Sequence, residues 1–178
     1  MIKKSVFDGD AKTIKWLNAA VNAEKNALFN YLNYSHMTRN ITGKNMFIRI
    51  ALDEFQHMTI LETELARIQA GKKWQKVKVP ASPIEQIKHE KNRKTAPGSD
   101  AGNADEIAAI SLAMKAEKNA MAFYLTRSNE VKSAEARALL KRLSAMEDAH
   151  YRILQAELDS INQSGFWLGF REISFETQ

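Results

Sequence analysis

The sequence predicts an all-α protein whose four long helices form a bundle. Apolar residues recur at helical spacing through four long stretches, whereas only 7 glycines and 3 prolines interrupt 178 residues. Hydrophobic residues make up 44% of the chain and charged residues 26%, the balance of a globular rather than a disordered chain. Because this length suits one hydrophobic core, we interpret residues 1–178 as a single domain.

The first two helices are predicted to form a hairpin. The first follows Asp10, which is a suitable N-cap, and ends at about His36. The turn chemistry of residues 40–43, Asn-Ile-Thr-Gly, separates it from a second helix over about residues 44–70. Gly71 then stands where the end of a helix favours a left-handed residue.

The last two helices are predicted to form a second hairpin. The third opens at Asn103, because residues 103–106 read Asn-Ala-Asp-Glu and fit a capping box, and it ends near Ser128. The fourth runs from about Ser133 to Asn162 and stops before Gly165. The tail, residues 165–178, opens with Gly-Phe-Trp-Leu-Gly-Phe, which we expect to pack back on the bundle or on a second subunit.

A basic crossover over residues 72–102 joins the two hairpins. It holds all three prolines, and between Lys72 and Lys94 eight lysines and arginines stand against two glutamates, a net charge of +6. The whole chain carries +5, so the basic character belongs to this segment. At most a short helix over about residues 84–91 is expected. A connection this long inside a compact domain needs a structural reason.

The two hairpins are copies of one unit. Ala23-Glu-Lys-Asn-Ala27 recurs as Ala116-Glu-Lys-Asn-Ala120, an offset of 93 residues. At the same offset further residues match, among them Tyr31 with Tyr124, Arg49 with Arg142, Glu64 with Glu157 and Leu65 with Leu158. The sequence therefore predicts one helical hairpin used twice.

Each copy carries the same three candidate metal ligands. One helix bears a Glu-x-x-His pair, whose two side chains leave the same face one turn apart, and the other helix bears a further glutamate. The candidates are Glu24, Glu54 and His57 in the first copy and Glu117, Glu147 and His150 in the second. A single Glu-x-x-His pair is usually solvated, but a duplicated set is much harder to obtain by chance.

Chain lengths place all six candidates at one level of the bundle. In both copies 30 residues separate the lone glutamate from the glutamate of the pair, and the predicted turn lies at the midpoint. In each hairpin the lone glutamate and the Glu-x-x-His pair therefore lie level with each other, roughly 22 Å below the turn. The long crossover lets the third helix start at the opposite end, which relates the hairpins by a pseudo-twofold axis and makes their ligand levels coincide.

The charge of this cluster predicts two divalent cations. Four carboxylates in an apolar core repel one another and suffer severe desolvation, whereas two divalent ions neutralise them. The chain has no cysteine, so thiolate-bound metal centres and disulfides are excluded. Carboxylate and imidazole ligands suit iron or manganese. We predict two iron ions, with manganese or a mixed pair as alternatives.

Further residues are candidates for supporting roles. Tyr31 and Tyr124 follow Glu24 and Glu117 by seven residues, two helical turns, so each hydroxyl is a candidate donor to a ligand carboxylate or to a bound oxygen species. The alternative is that both tyrosines belong only to the edge of the core. Asp53 is a candidate to orient His57, although Met146 takes the equivalent place in the second copy.

With these residues, the chain resembles the ferritin-like superfamily and, within it, the rubrerythrin-like di-iron proteins. The resemblance covers about residues 10–162 and implies a ferritin-like bundle with two irons. Rubrerythrins usually add a rubredoxin domain with four cysteines, so the resemblance implies a separate electron donor here. Ala120 stands where many rubrerythrins have a further glutamate on the third helix. Phe55 replaces the methionine that binds haem in bacterioferritins, so haem is not expected.

The resemblance implies two redox functions. The first is a peroxidase that reduces hydrogen peroxide, or O₂, with electrons from an external protein such as a rubredoxin, and in which Tyr31 and Tyr124 are catalytic. The second is a ferroxidase that handles iron. A small decarbonylase-like activity on an apolar substrate is a further possibility that the sequence leaves open.

A different class of function, nucleic-acid binding, would use residues 72–94, with Trp74 stacking on a base, but a solvated loop is the commoner explanation of such a segment. We expect a cytoplasmic protein, because the sequence shows no signal peptide and no membrane-spanning segment. We also expect a homodimer, because the aromatic tail and the long crossover suit a small oligomer better than a hollow shell.

Overall fold

Four α-helices arranged as two antiparallel hairpins make up the structure. The computed structural model describes residues 11–86, 104–165 and 167–168, and the described part contains no strand. Helix α1 packs against α2 and α3 against α4, which confirms the predicted four-helix bundle. The helices are α1 (Ala11–Met37), α2 (Ile41–Gln69), α3 (Ala104–Glu130) and α4 (Ala134–Ser164). None of the described helices is long and apolar enough to cross a membrane.

Helix α2 begins earlier than the sequence suggested. The side chain of Asn40 is its N-cap and accepts hydrogen bonds from the backbone N–H groups of Thr42 (2.8 Å) and Gly43 (3.1 Å). The prediction that Gly43 lies in the turn was therefore wrong, because the asparagine side chain satisfies the free N–H groups of a helix that already includes Gly43. The proposed caps Asp10 and Asn103 lie outside the described residues.

Helix α4 has the predicted ends. Ser133 caps its start by accepting a hydrogen bond from the backbone N–H of Ala136 (3.2 Å). Gly165 follows its last residue with a φ of +78°, the left-handed conformation that glycine adopts without strain.

The crossover carries the chain from one end of the bundle to the other, as predicted. The backbone N–H of Arg39, in the turn between α1 and α2, donates to Glu106 in the first turn of α3 (2.8 Å). Helix α3 therefore begins beside that turn, at the end of the bundle opposite to the end of α2. The described part of the crossover ends in a 3₁₀ turn, Pro83–Gln86, and the rest of the predicted 84–91 helix lies outside the described residues.

Two apolar clusters fill the two ends of the bundle. Each is built from all four helices, and the level of the predicted ligands lies between them. The first cluster includes Trp16, Leu17, Leu61, Ile68, Leu140 and Leu143, and the second includes Phe47, Ile50, Ile110, Ile153, Leu154 and Trp167. This arrangement closes the middle of the bundle to water from both ends.

The chain that leaves each hairpin folds back in the same way. The backbone N–H of Gln75 donates to the buried carboxylate of Glu64 (3.4 Å), and that of Leu168 donates to Glu157 (2.8 Å). Burial raises the pKa of Glu157 to about 8. Because both contacts span 11 residues, the repeat continues beyond the helices, although the helical spacing does not predict this continuation.

Trp74 occupies the first of these return segments. It is buried and stacks on Trp16, with ring centroids 6.0 Å apart and an angle of 11° between the planes. The alternative in which Trp74 stacks on a nucleic-acid base is therefore contradicted, because the ring is buried in the core and stacks on Trp16.

Trp167 occupies the second return segment, at the same repeat position as Trp74. Its ring packs edge-to-face on Phe47, and its indole N–H donates to Glu106 (3.3 Å). The ring also lies directly over Gly43, where an added Cβ would approach it to 2.6 Å. At Trp167 the expected packing of the tail on the bundle is confirmed.

Replacing Gly43 with alanine is expected to destabilise the protein by about 1–2 kcal/mol, because the new methyl group overlaps the Trp167 ring. In a Trp167→Leu background the same change should be neutral or stabilising by up to about 1 kcal/mol, since alanine favours helix. Urea unfolding of the four proteins measures both effects. An equal destabilisation in both backgrounds would contradict the overlap.

Candidate metal centre

All six predicted ligands meet in the middle of the bundle. Each is at most 3% exposed. They form two groups in which the potential ligand atoms lie within 4.8 Å of one another. One group is Glu24, Glu54, His57 and Glu147, and the other is Glu54, Glu117, Glu147 and His150.

The two groups share Glu54 and Glu147. Each shared carboxylate therefore faces both pockets, whereas each pocket has one glutamate and one histidine of its own. We name them the His57 pocket, with Glu24, and the His150 pocket, with Glu117. This is the arrangement of dimetal carboxylate bundles, with two bridging and two terminal glutamates. The structure brings the six side chains together as predicted, and metal binding by them stays a prediction.

Unpaired atoms show that the cluster fits metal ions. The Nδ1 atom of His57 lies 3.2 Å from Oε1 of Glu147, and Nδ1 of His150 lies 3.1 Å from Oε1 of Glu54. These four buried atoms have no hydrogen-bond partner. Unpaired buried polar atoms are costly, and these converge on one another from opposite helices. If two cations were bound, all four of these atoms could act as metal ligands.

The outer nitrogens of the two imidazoles have different partners. Nε2 of His150 lies 3.0 Å from Oδ2 of Asp53, whereas Nε2 of His57 lies 3.4 Å from the sulfur of Met146. The prediction that Asp53 orients His57 was therefore wrong. Asp53 shares α2 with His57 but faces across the bundle to α4, so each residue that precedes a bridging glutamate contacts the imidazole of the other hairpin.

Both tyrosines also cross between hairpins. The hydroxyl of Tyr31 donates to the carboxylate of Glu117, and that of Tyr124 donates to Glu24. The predicted donation to ligand carboxylates is confirmed, and a direct role in catalysis stays a prediction. Burial and the nearby carboxylates raise the pKa of both tyrosines well above the usual value, which keeps the hydroxyls protonated as donors.

Part of the crossover also reaches the centre, which sequence reasoning missed. The hydroxyl of Ser82 donates to Asp53, and the carboxylate of Glu85 pairs with Arg142 of α4, with 2.6 Å between Nη2 and Oε2. These contacts hold the end of the described crossover against the bundle. A hint was present in the sequence, because Ser82-Pro-Ile-Glu85 has the pattern of a helix start within the proline-rich segment.

A family model named Rubrerythrin matches residues 15–158, which include most of all four helices. This chain belongs to the rubrerythrin family. The family assignment agrees with the sequence resemblance and with the two overlapping groups of carboxylates and imidazoles in the buried cluster. The centre is thus the one place in this rubrerythrin-family chain where the described structure gathers carboxylates and imidazoles suited to metal.

The fold is shared with a solved structure. A hypothetical protein from Pyrococcus furiosus is 25% identical to this chain, with a TM-score of 0.64. The match covers 85% of this chain and 90% of that one. No curated protein matches the sequence significantly.

Without metal, the centre of this rubrerythrin-family chain holds protons on its terminal ligands. Burial and the negative charge of Glu54 raise the pKa of Glu24 to about 8, and they raise the pKa of Glu117 well above its usual value. Burial alone would lower the pKa of both imidazoles, but the surrounding carboxylates raise it well above the usual value.

The bridging carboxylates behave in the opposite way. Burial raises the pKa of Glu54 and Glu147, but other contacts outweigh this effect and lower it. For Glu54 these are hydrogen bonds with Glu24 and both imidazoles, and for Glu147 they are the contacts with both imidazoles. The positive charge favoured on the imidazoles therefore opposes the negative charge of the bridging carboxylates. Two divalent cations would take over this role and displace the protons that the ligands hold.

Metal uptake is therefore expected to release protons. Ligand histidines and glutamates must lose them, so loading Zn²⁺ at about pH 6.5 should release protons, and affinity should rise with pH through the raised pKa of Glu24. Calorimetric titrations in buffers of different ionisation enthalpy measure the number. An affinity that does not change between about pH 6 and pH 8, with no proton release, would contradict this account.

Proposed function

We propose that the protein is a non-haem di-iron oxidoreductase of rubrerythrin type that reduces hydrogen peroxide, or O₂, with electrons from a separate donor. The observation that carries this proposal is the pair of overlapping ligand groups that share Glu54 and Glu147. Family membership supports iron as the metal. In the overall reaction, one H₂O₂ takes up two electrons and two protons and yields two molecules of water.

In this proposal the chain holds the iron pair through the six named side chains. Glu54 and Glu147, which face both pockets, would serve both ions, Glu24 and Glu117 would serve one each, and each imidazole would bind through the Nδ1 that faces the centre. The iron pair, when bound, supplies the two electrons that peroxide reduction needs. Tyr31 and Tyr124 hold the terminal carboxylates in place, and the apolar clusters at both ends exclude water from the centre.

The electron donor is proposed to be another protein. None of the 178 residues is a cysteine, so these residues offer no thiolate-bound centre that would return electrons to the irons. The described part of the basic crossover presents exposed lysines, Lys72, Lys73, Lys76 and Lys78. An acidic redox protein would be attracted to this segment, and the attraction would weaken with salt.

A second candidate is a ferroxidase, in which Fe²⁺ is the substrate and leaves as ferric product. Two observations favour it. Ala120 stands three residues after Glu117, at the position where many rubrerythrins have a further glutamate, so the centre lacks that extra carboxylate. Both tyrosine hydroxyls already donate to carboxylates, which leaves them less free to contact an oxidant.

Oxidation by peroxide and by O₂ separates the two functions. The protein is loaded anaerobically with two Fe²⁺ per chain, and each oxidant is added separately while absorbance is followed. A peroxidase should consume one peroxide per iron pair, react faster with peroxide than with O₂, and turn over when a reduced rubredoxin is supplied. A ferroxidase should instead take up and oxidise many irons per chain.

Variants at buried glutamates give the matched control. Glu54→Gln removes a bridging ligand and should abolish the fast oxidation. Glu157→Gln changes an equally buried glutamate on α4 that lies outside both ligand groups, so it should retain the fast reaction. A Glu54→Gln protein that binds and oxidises iron like the parent would refute the proposed centre.

A further inference from the structure

The internal repeat offers a comparison between the two metal pockets. Their own ligands match, since each has one glutamate and one histidine at equivalent positions. Their tyrosines match as well, because each terminal glutamate accepts a hydrogen bond from the opposite hairpin. The pockets differ in what supports the imidazole. Asp53 contacts His150, and Met146, its equivalent at an offset of 93, contacts His57.

This difference is chemically large. An imidazole that binds metal through Nδ1 carries its proton on Nε2. For His150 that proton points at a carboxylate 3.0 Å away, and such a bond increases the electron density on the coordinating nitrogen. For His57 it points at a thioether sulfur 3.4 Å away, which is a weak acceptor.

The surroundings of Asp53 reinforce the difference. Its Oδ2 atom also accepts a hydrogen bond from the hydroxyl of Ser82, which reaches it from the crossover. The backbone N–H of Ile84 donates to the same hydroxyl (3.1 Å), and this bond fixes its orientation. At the offset of 93 residues Ser82 corresponds to Phe175, which has no hydroxyl to donate.

We propose that the two metal pockets are unequal and load in order, the His150 pocket first, because Asp53 acts as a positioning residue for His150. This inference rests on the proposed dimetal function. It concerns equilibrium binding, so it is open to measurement without turnover. The shared carboxylates remain available to the second ion, which enters the His57 pocket.

Two-step binding alone does not test the proposal, because repulsion between two ions also separates the steps of identical pockets. The test must identify which pocket fills first. The repeat supplies matched variants, since Glu24→Ala removes the terminal ligand of the His57 pocket and Glu117→Ala removes that of the His150 pocket. Co²⁺ is a suitable probe, because its visible spectrum reports coordination and it is stable in air.

The experiment titrates the metal-free full chain with Co²⁺ against a competing chelator. The Glu24→Ala protein should keep the affinity of the parent for its first Co²⁺. The Glu117→Ala protein should bind its first Co²⁺ about 10-fold or more weakly than the parent. Asp53→Asn, which is nearly isosteric, should weaken the first Co²⁺ by about 10–100-fold. Its counterpart Met146→Leu should leave the first Co²⁺ unchanged. Far-UV circular dichroism checks that each variant folds.

Ser82→Ala is a milder second test, since it keeps the carboxylate of Asp53 but removes its crossover donor. It should lower the affinity for the first Co²⁺ several-fold and leave the affinity for the second unchanged. Equal first-ion affinities in Glu24→Ala and Glu117→Ala, or an unaltered first step in Asp53→Asn and Ser82→Ala, would overturn the ordered loading while leaving the dimetal function intact. A parent protein that binds no Co²⁺ would overturn both.

Discussion

The removal of four carboxylates from water in the middle of an apolar bundle is the constraint on which the rest of this structure depends. Ionised carboxylates in such a place are tolerated only when opposite charge reaches them, and here that charge comes either from protons on neighbouring ligands or from cations. The inward Nδ1 atoms of His57 and His150 and the unpaired oxygens of Glu54 and Glu147 are arranged for the cations. Apolar clusters at both ends keep the bundle closed around them.

Duplication of one hairpin accounts for most of the geometry. The two copies run in opposite directions along the bundle, which the crossover makes possible, and their ligand levels coincide because each lies near the middle of its helices. The contact between Arg39 and Glu106 marks the point where the first turn meets the start of α3. The crossover also breaks the symmetry, because it brings Ser82 to Asp53 on one side of the centre.

The sequence was sufficient to predict that the six candidate ligands meet at one level, because their positions depend on local rules. Glu54 and His57 share a helix face by spacing alone, and the repeat together with the equal distances to the turns set their level. Contacts between the hairpins could not be predicted from such local rules. Asp53 is one turn from His57, yet it contacts His150, since its direction depends on how α2 is rotated against α4. The burial of Trp74 against Trp16 likewise depends on the path of the crossover, which spacing does not encode.

The central claim is that two ions lie between these six side chains, and the most direct measurement is anomalous diffraction at the iron edge from crystals grown anaerobically with Fe²⁺. The account predicts two peaks about 3.5–4 Å apart, one beside Nδ1 of His57 and one beside Nδ1 of His150, with Glu54 and Glu147 between them. The absence of any peak in the middle of the bundle in such crystals, or iron bound only elsewhere on the chain, would contradict it.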